Sequence, residues 1–211
     1  MQLPYSKIPR LLLVSSILLP LSLISAPLAA QGLQITPFIG YRSEGSLEDI
    51  NTGAGLDIAA DATVGFTIGK DLGENIQIEF YYSRQSTDLS GDPAITPGFK
   101  VDIDVEYIHF GSKYYLGKTG RTYLVGSIGG TRFSSKSSAH GSETPFSLGV
   151  GGGIETGRDK RIGFRLEGRG FATFTEGSTQ IFCNPSGTCT GFSSNDVLFQ
   201  FEINAGLTFR F

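Results

Sequence analysis

The stretch Val197–Phe211, VLFQFEINAGLTFRF, decides the fold. Taken by parity, Val197, Phe199, Phe201, Ile203, Ala205, Leu207, Phe209 and Phe211 are all apolar, whereas Leu198, Gln200, Glu202, Asn204, Gly206, Thr208 and Arg210 are, after the first, polar or small. Alternation with period two is the pattern of a strand with one apolar face, and a helix, whose apolar positions recur every three or four residues, does not produce it.

The same split extends backwards along the chain. Ile58, Ala60, Ala62, Val64, Phe66 and Ile68 alternate with Asp57, Ala59, Asp61, Thr63, Gly65 and Thr67; Ile162, Phe164, Leu166, Gly168, Gly170, Ala172 and Phe174 alternate with Gly163, Arg165, Glu167, Arg169, Phe171 and Thr173. In 99–116 the apolar set Val101, Ile103, Val105 and Tyr107 opposes Asp102, Asp104 and Glu106, and the phase blurs at Ile108, His109 and Phe110, which predicts a β-bulge there. Segments 33–42, 76–86, 122–134 and 146–157 complete eight predicted strands. The fifth and sixth are diluted by Gly126, Gly129, Gly130, Gly149, Gly151, Gly152 and Gly153.

The connections alternate as strictly as the strands. Residues 43–56, 87–98, 135–145 and 176–196 are long and rich in Gly, Ser, Asp, Asn and Pro, whereas 70–75, 117–121 and 158–161 are tight turns. In an up-and-down antiparallel barrel this places the long loops at one end and the turns with both chain ends at the other. Ahead of the strands, Lys7 and Arg10 precede the apolar run Leu11–Ile24, and Ala26, Ala29 and Ala30 supply a small-residue cleavage region. Residues 1–30 therefore read as a secretory signal and 31–211 as the barrel domain. The apolar run is too short for a spanning helix, which needs about twenty residues.

Composition removes other classes. A net charge of −3, 39% hydrophobic and 18% charged residues suit neither a disordered acidic chain nor a basic nucleic-acid binder. Two cysteines and two histidines are too few for a Cys/His metal cluster, and no cofactor is expected.

Alternation alone does not separate a membrane barrel from a soluble one, because the two exchange their faces. The polar face decides. Lys70, Lys118, Lys136 and Lys160 fall in turns or loops, while the strand polar faces carry Gly, Thr, Ser and a few Asp, Glu and Arg, a filling that suits the cramped interior of eight strands. Tyr114, Tyr115, Tyr123, Phe209 and Phe211 suit an aromatic girdle at the membrane boundary. The predicted fold is an all-β, eight-stranded antiparallel up-and-down transmembrane β-barrel with apolar residues outward.

The ending Gly206–Phe211, with Leu207, Phe209 and Phe211 at alternate places, resembles the C-terminal strand signal of bacterial outer-membrane barrels. The whole mature chain is similar in architecture to the small outer-membrane β-barrel superfamily, which includes the transmembrane domain of outer-membrane protein A and the protein X-like adhesion barrels. The resemblance implies the cell outer membrane, recognition by the barrel assembly machinery, and contact with outer-membrane lipid and lipopolysaccharide. A monomer is expected.

Glu79, Asp102, Asp104, Glu106, Glu167 and Glu202 are predicted to face Arg132, Arg165, Arg169 and Arg210 across the lumen, as structural ion pairs or as the lining of a narrow ion path. Cys183 and Cys189 bracket a Pro- and Gly-containing turn and are expected to form a disulfide that shapes the longest loop, worth roughly 2 kcal/mol. His140, Ser142 and Glu143 superficially resemble the His-x-Ser arrangement of lipid A deacylase barrels, but they fall in a Ser-rich loop and Glu143 stands where an Asn is expected. The loops are acidic, which disfavours nucleic acid and leaves divalent cations as the alternative to plain solvated charge. The expectation is a non-catalytic barrel with a structural or surface-interaction role. The alternatives are a narrow passive channel, a conduit for small hydrophobic compounds with a lateral opening at Tyr107–Phe110, and a lipid A-modifying enzyme.

Overall fold

A computed structural model describes residues 32–48, 55–91, 100–117, 121–135, 142–175, 180–183, 189–191 and 197–211. Eight long strands among them close a ring: β1 Leu33–Arg42, β2 Asp61–Asp71, β3 Ile76–Gly91, β4 Lys100–Leu116, β5 Thr122–Ser135, β6 Phe146–Glu155, β7 Ile162–Phe174 and β8 Val197–Arg210. Each pairs antiparallel with its chain neighbour, and β1 pairs with β8 to complete the cylinder. Closure leaves no open edge, which a strand structure needs where no water can satisfy free backbone groups. The expected signal, residues 1–30, lies outside the described residues.

Through most of its height the wall presents apolar side chains outward. Phe66, Ile68, Ile108, Phe110, Leu124, Ile128, Leu148, Val150, Phe164, Leu166, Phe201 and Ile203 are all exposed, while Thr36, Thr67, Glu79, Lys113, Arg165, Arg169 and Glu202 are buried. A soluble barrel has the reverse arrangement. The outward band is the surface that acyl chains cover, and the three short turns lie at the same end as Gly32 and Phe211, where Phe211 N–H donates to Leu33 O at 3.0 Å.

At the opposite end the pattern inverts. On β4 the outward residues change from Leu116, Tyr114, Phe110 and Ile108 to Glu106, Asp104 and Asp102, while Ile103, Val105 and Tyr107 turn inward and are fully buried. On β3 the same change falls between Tyr82 and Arg84, and on β5 between Gly130 and Arg132. Tyr82, Ile108 and Gly130 are successive register partners, as are Arg84, Glu106 and Arg132. The inversion therefore follows one level around the wall. Below it the outside medium is lipid and the charges are enclosed; above it the outside is water, and the apolar residues turn in as they do in a soluble protein.

The structure corrects the sequence expectations for four charges, for the bulge and for the phase of Ile58. Asp102, Asp104, Glu106 and Arg132 do not face the lumen: they sit on the outer face above the apolar band, where Asp102 is exposed and Asp104 and Glu106 are held by half-exposed arginines. No bulge occurs at Tyr107–Phe110, because the registers of β4 with β3 and with β5 are unbroken from end to end. The slip lies instead between β2 and its extension Gly55–Ile58. Thr63 pairs with Gln85 and Ile58 with Leu89, leaving one extra residue on the Ile58 side. That residue reverses parity. Leu56 and Ile58 are thus enclosed, so Ile58 is not in phase with the lipid-facing Val64, Phe66 and Ile68.

The long connections hold further strand pairs. Gly45–Glu48 pairs with Gly55–Ile58, Ser142–Glu143 continues along β5, and Gln180–Cys183 pairs with Cys189–Gly191. β3 runs to Gly91, five residues beyond its predicted end. The upper core formed by Leu56, Ile58, Leu89, Ile103, Val105, Phe133 and Leu198 fills the space these rising strands enclose.

Candidate functional site

The lumen is built mainly from β7. Arg165, Glu167 and Arg169 lie at alternate positions and so share its inner face. Opposite, β3 contributes Glu79 and β4 contributes Lys113. Glu79 is the hub: Lys113 Nζ lies 2.7 Å and Arg165 Nη1 2.8 Å from its Oε2, and Arg169 Nη2 lies 2.7 Å from its Oε1. Glu167 pairs with the same two arginines, with Arg169 at 2.9 Å. Tyr123 joins the cluster, its hydroxyl donating to Glu167 Oε2 and accepting from Arg165 Nε, both at 2.8 Å.

A third carboxylate lies above this cluster. Glu202 accepts from Arg42 Nη2 at 2.8 Å and Nε at 3.1 Å, from Tyr81 O–H at 2.5 Å and from Asn204 Nδ2 at 3.2 Å. Below, Glu155 pairs with Arg210 and lies 3.9 Å from Lys113. Every one of these carboxylates is fully or almost fully buried and holds at least one cation. In a low-dielectric wall an uncompensated charge is strongly destabilising.

Rings close both ends of the ionic zone. Toward the long-loop end Tyr107 stacks on Phe171 with centroids 4.0 Å apart, Tyr81 lies 5.8 Å from Phe171, and Phe38 stacks on Tyr81 at 5.5 Å. His109 is held between Ser147 at 2.8 Å and Ser127 at 3.1 Å. Toward the turns, Tyr115 meets Tyr123 edge-on at 5.7 Å, and the Arg158 guanidinium covers Tyr115 at 3.8 Å while donating to Glu74 O. Tyr115 and Tyr123 are thus enclosed rather than part of an outer aromatic girdle; Tyr114 faces outward.

The glycines of β6 make this filling possible. Gly149, Gly151 and Gly153 point inward, and a Cβ on Gly153 would stand 2.5 Å from the Tyr123 hydroxyl, one on Gly149 2.5 Å from Ser127 Oγ. One wall gives up its side chains so that long ones from the others fit.

Of the residues singled out from sequence, Glu79, Arg165, Glu167, Arg169 and Glu202 meet in the lumen, and Arg210 closes its turn end, donating to Gly157 O at 2.6 Å. The four outer-face residues form a separate group above the apolar band: Arg84 bonds Asp104 at 2.7 Å, Arg132 bonds Glu106 at 3.4 Å, Tyr82 O–H donates to Glu106 at 2.6 Å, and Lys100 bonds Asp88 at 2.9 Å. Asp102 is exposed there. Leu207 and Phe211 point outward near the turn end, with Phe209 half-buried between them. Cys183 and Cys189 are backbone register partners, but their side chains, and with them the disulfide, lie outside the described residues. His140 also lies outside them; Ser142 and Glu143 pair with Ser134 and Phe133 on the external extension of β5.

Sequence reading missed Arg42, Lys113, Glu155, Tyr81 and Tyr123. The signal was available for two of them. In 33–42 the residues in phase with Arg42 are Gln34, Thr36, Phe38 and Gly40, a mostly polar or small set, and Lys113 continues the inward parity of His109.

Residues 16–211 match the outer membrane protein beta-barrel domain family. No curated protein matches the chain. Among solved structures it is similar to Neisserial surface protein A (14% identity, TM-score 0.58, covering 86% of this chain and 98% of that one). It is also similar to the outer membrane protein AlkL in lipid bilayers (18%, 0.54, 86% and 90%) and to the outer membrane protein OprG from Pseudomonas aeruginosa (14%, 0.52, 86% and 97%). At these identities the likeness speaks for the fold alone, and it agrees with the eight-stranded ring. The chain belongs to the outer membrane protein beta-barrel domain family, and its place is the cell outer membrane.

Proposed function

We propose that the protein is a closed, non-conducting and non-catalytic barrel that anchors an external collar of strands and loops, and that the collar is the working surface. The observation that carries this reading is the occupied lumen. Three carboxylate centres, Glu155, Glu79 with Glu167, and Glu202, are stacked between the Tyr115 ring at one end and the Tyr107–Phe171 pair at the other. Above them lies an apolar core in place of a wet vestibule. Ions have no favourable path through such a filling, because each centre is already neutralised by a fixed partner.

The collar is where the barrel meets the outside. Arg84, Lys100 and Arg132 are interspersed with Asp88, Asp102, Asp104 and Glu106, directly above the apolar band. In this reading lipopolysaccharide surrounds the collar, the barrel assembly machinery reads Leu207, Phe209 and Phe211 during biogenesis, and the protein works as a monomer without nucleic-acid partners. The lateral-opening version of a conduit loses its support from the unbroken β4 registers.

Single-channel recording in planar bilayers tests the reading. A closed barrel gives no steady conductance; a reproducible open level would replace this reading with the channel. Unchanged uptake of a small apolar solute by liposomes carrying the protein, and an unchanged lipid A mass spectrum on its overexpression, are the results expected against the conduit and the enzyme.

A further inference from the structure

The turn end of the barrel differs from the collar in both charge and shape. Arg121, Lys160 and Arg161 are exposed there, with Asp159 the carboxylate among them, and none of the three cations is ion-paired among the described residues. Their backbone is fixed. Arg210 Nη1 donates to Gly157 O at 2.6 Å and to Lys160 O at 3.2 Å, and Glu155 N–H donates to Arg121 O at 2.7 Å, which sets Arg121 beside the 157–161 turn.

A cleft of about 560 Å³ opens between Arg121 and this turn, lined by the polar Arg121, Lys160 and Asp159 together with the apolar Phe164 and Leu207. The same Phe164 and Leu207 line a second cleft of about 390 Å³ higher on the outer wall, where Ala205 and Gly206 leave a depression beside Ile39. Phe164 and Leu207 thus stand between the two clefts, with unpaired cations on the turn side and an apolar wall that faces the acyl chains on the other.

We propose that these two clefts together seat an anionic phospholipid of the periplasmic leaflet, its phosphate between Arg121 and Lys160 and one acyl chain over Phe164, Leu207 and Ala205. Charge complementarity selects the headgroup, since a zwitterionic lipid offers the cations no net charge. The depression at Ala205 and Gly206 gives the chain a lower-lying track than the neighbouring wall. Each cation near the membrane surface contributes about fivefold in relative affinity for an anionic lipid.

The chain contains no tryptophan, so a single Trp reports its own position. The full mature protein carrying Phe164→Trp, or Phe199→Trp on the opposite half of the wall as control, is placed in vesicles containing brominated phosphatidylglycerol or brominated phosphatidylcholine. At Phe164→Trp the expected preference for phosphatidylglycerol is at least about tenfold, with no preference at Phe199→Trp. Combining Phe164→Trp with Arg121→Glu and Lys160→Glu should abolish the preference, while heat-modifiable gel migration shows that the barrel still folds. Equal quenching by the two lipids at Phe164→Trp, or a preference that survives charge reversal in a folded barrel, overturns the proposal. If the reversed variant does not fold, Arg121→Gln with Lys160→Gln replaces it, and an undiminished preference there has the same consequence.

Discussion

The guanidinium of Arg42 lies 4.5 Å from the ring centre of Tyr107 while its Nη2 bonds Glu202 at 2.8 Å, so one side chain joins the ionic lumen to the apolar core above it. Arg42 is the cross-strand partner of Glu202 and is fully buried. Its planar, delocalised charge suits a position with a carboxylate on one side and a ring on the other. The polarity of the whole barrel turns over at about this level.

Because the buried ion pairs are matched so closely, removing one partner leaves the other charged and unsolvated. Arg165→Ala takes one of three cations from Glu79 and one of two from Glu167, leaving the buried network short of a positive charge, and is expected to cost up to about 3 to 5 kcal/mol. Arg132→Ala removes only a half-exposed partner of Glu106 and is expected to cost less than about 1 kcal/mol. Thermal unfolding followed by the shift between folded and heat-denatured gel bands compares the two. Equal melting profiles for both variants would contradict the division of these arginines between lumen and outer face.

Filling the bare inner face of β6 should be as damaging as emptying the others. A Cβ on Gly153 already collides with the Tyr123 hydroxyl and with Leu166 O, 2.4 Å away. Gly153→Val is expected to destabilise the barrel by at least about 1 to 3 kcal/mol, whereas the outward Gly126, with open space before it, should accept Ala with little change. The same gel assay reads both, and a Gly153→Val barrel that melts like the unsubstituted protein would mean the interior is looser than described.

The slip between β2 and its extension makes a prediction about parity. Deleting Ala60 removes the extra residue and leaves Ile58 four places from Thr63, as Leu89 is from Gln85, so Leu56 and Ile58 stay enclosed on a strand without a slip. The collar and the membrane band should both survive. Proteinase K added outside intact cells is expected to cut the deletion variant in the collar no more than the unaltered protein; new cleavage there would show that the extra residue is not what reverses the parity.

How much of this was legible in sequence depends on what lies outside the wall. On β8, from Phe199 to Leu207, the outward residues are all apolar because lipid covers them, and parity alone identifies the face. On β4 the same parity rule reverses its meaning half-way. Val105 and Tyr107 are apolar because they are inside and the outside is water; Ile108 and Phe110 are apolar because they are outside and the outside is lipid. Sequence shows the change of phase at Tyr107–Ile108 but not its cause, so a change of medium reads as a change of register. Asp102, Asp104 and Glu106 were misplaced for that reason, whereas Glu79, Arg165 and Arg169, which lie wholly within the lipid band, were not. Which cation meets which carboxylate depends on how the ring closes, and that is a property of eight registers together rather than of any one strand.

Spin labels placed one at a time along residues 101–115 of β4, in a background with Cys183→Ser and Cys189→Ser, test the inversion most directly. Labels at 108, 110 and 114 should be accessible to oxygen dissolved in the bilayer, labels at 102, 104 and 106 to a water-soluble nickel reagent, and labels at 103, 105, 107 and 109 to neither. Oxygen access at 103, 105 and 107 with shielding of 102, 104 and 106 from the nickel reagent would contradict the account, because the charges would then be inside and the apolar residues in lipid along the whole strand.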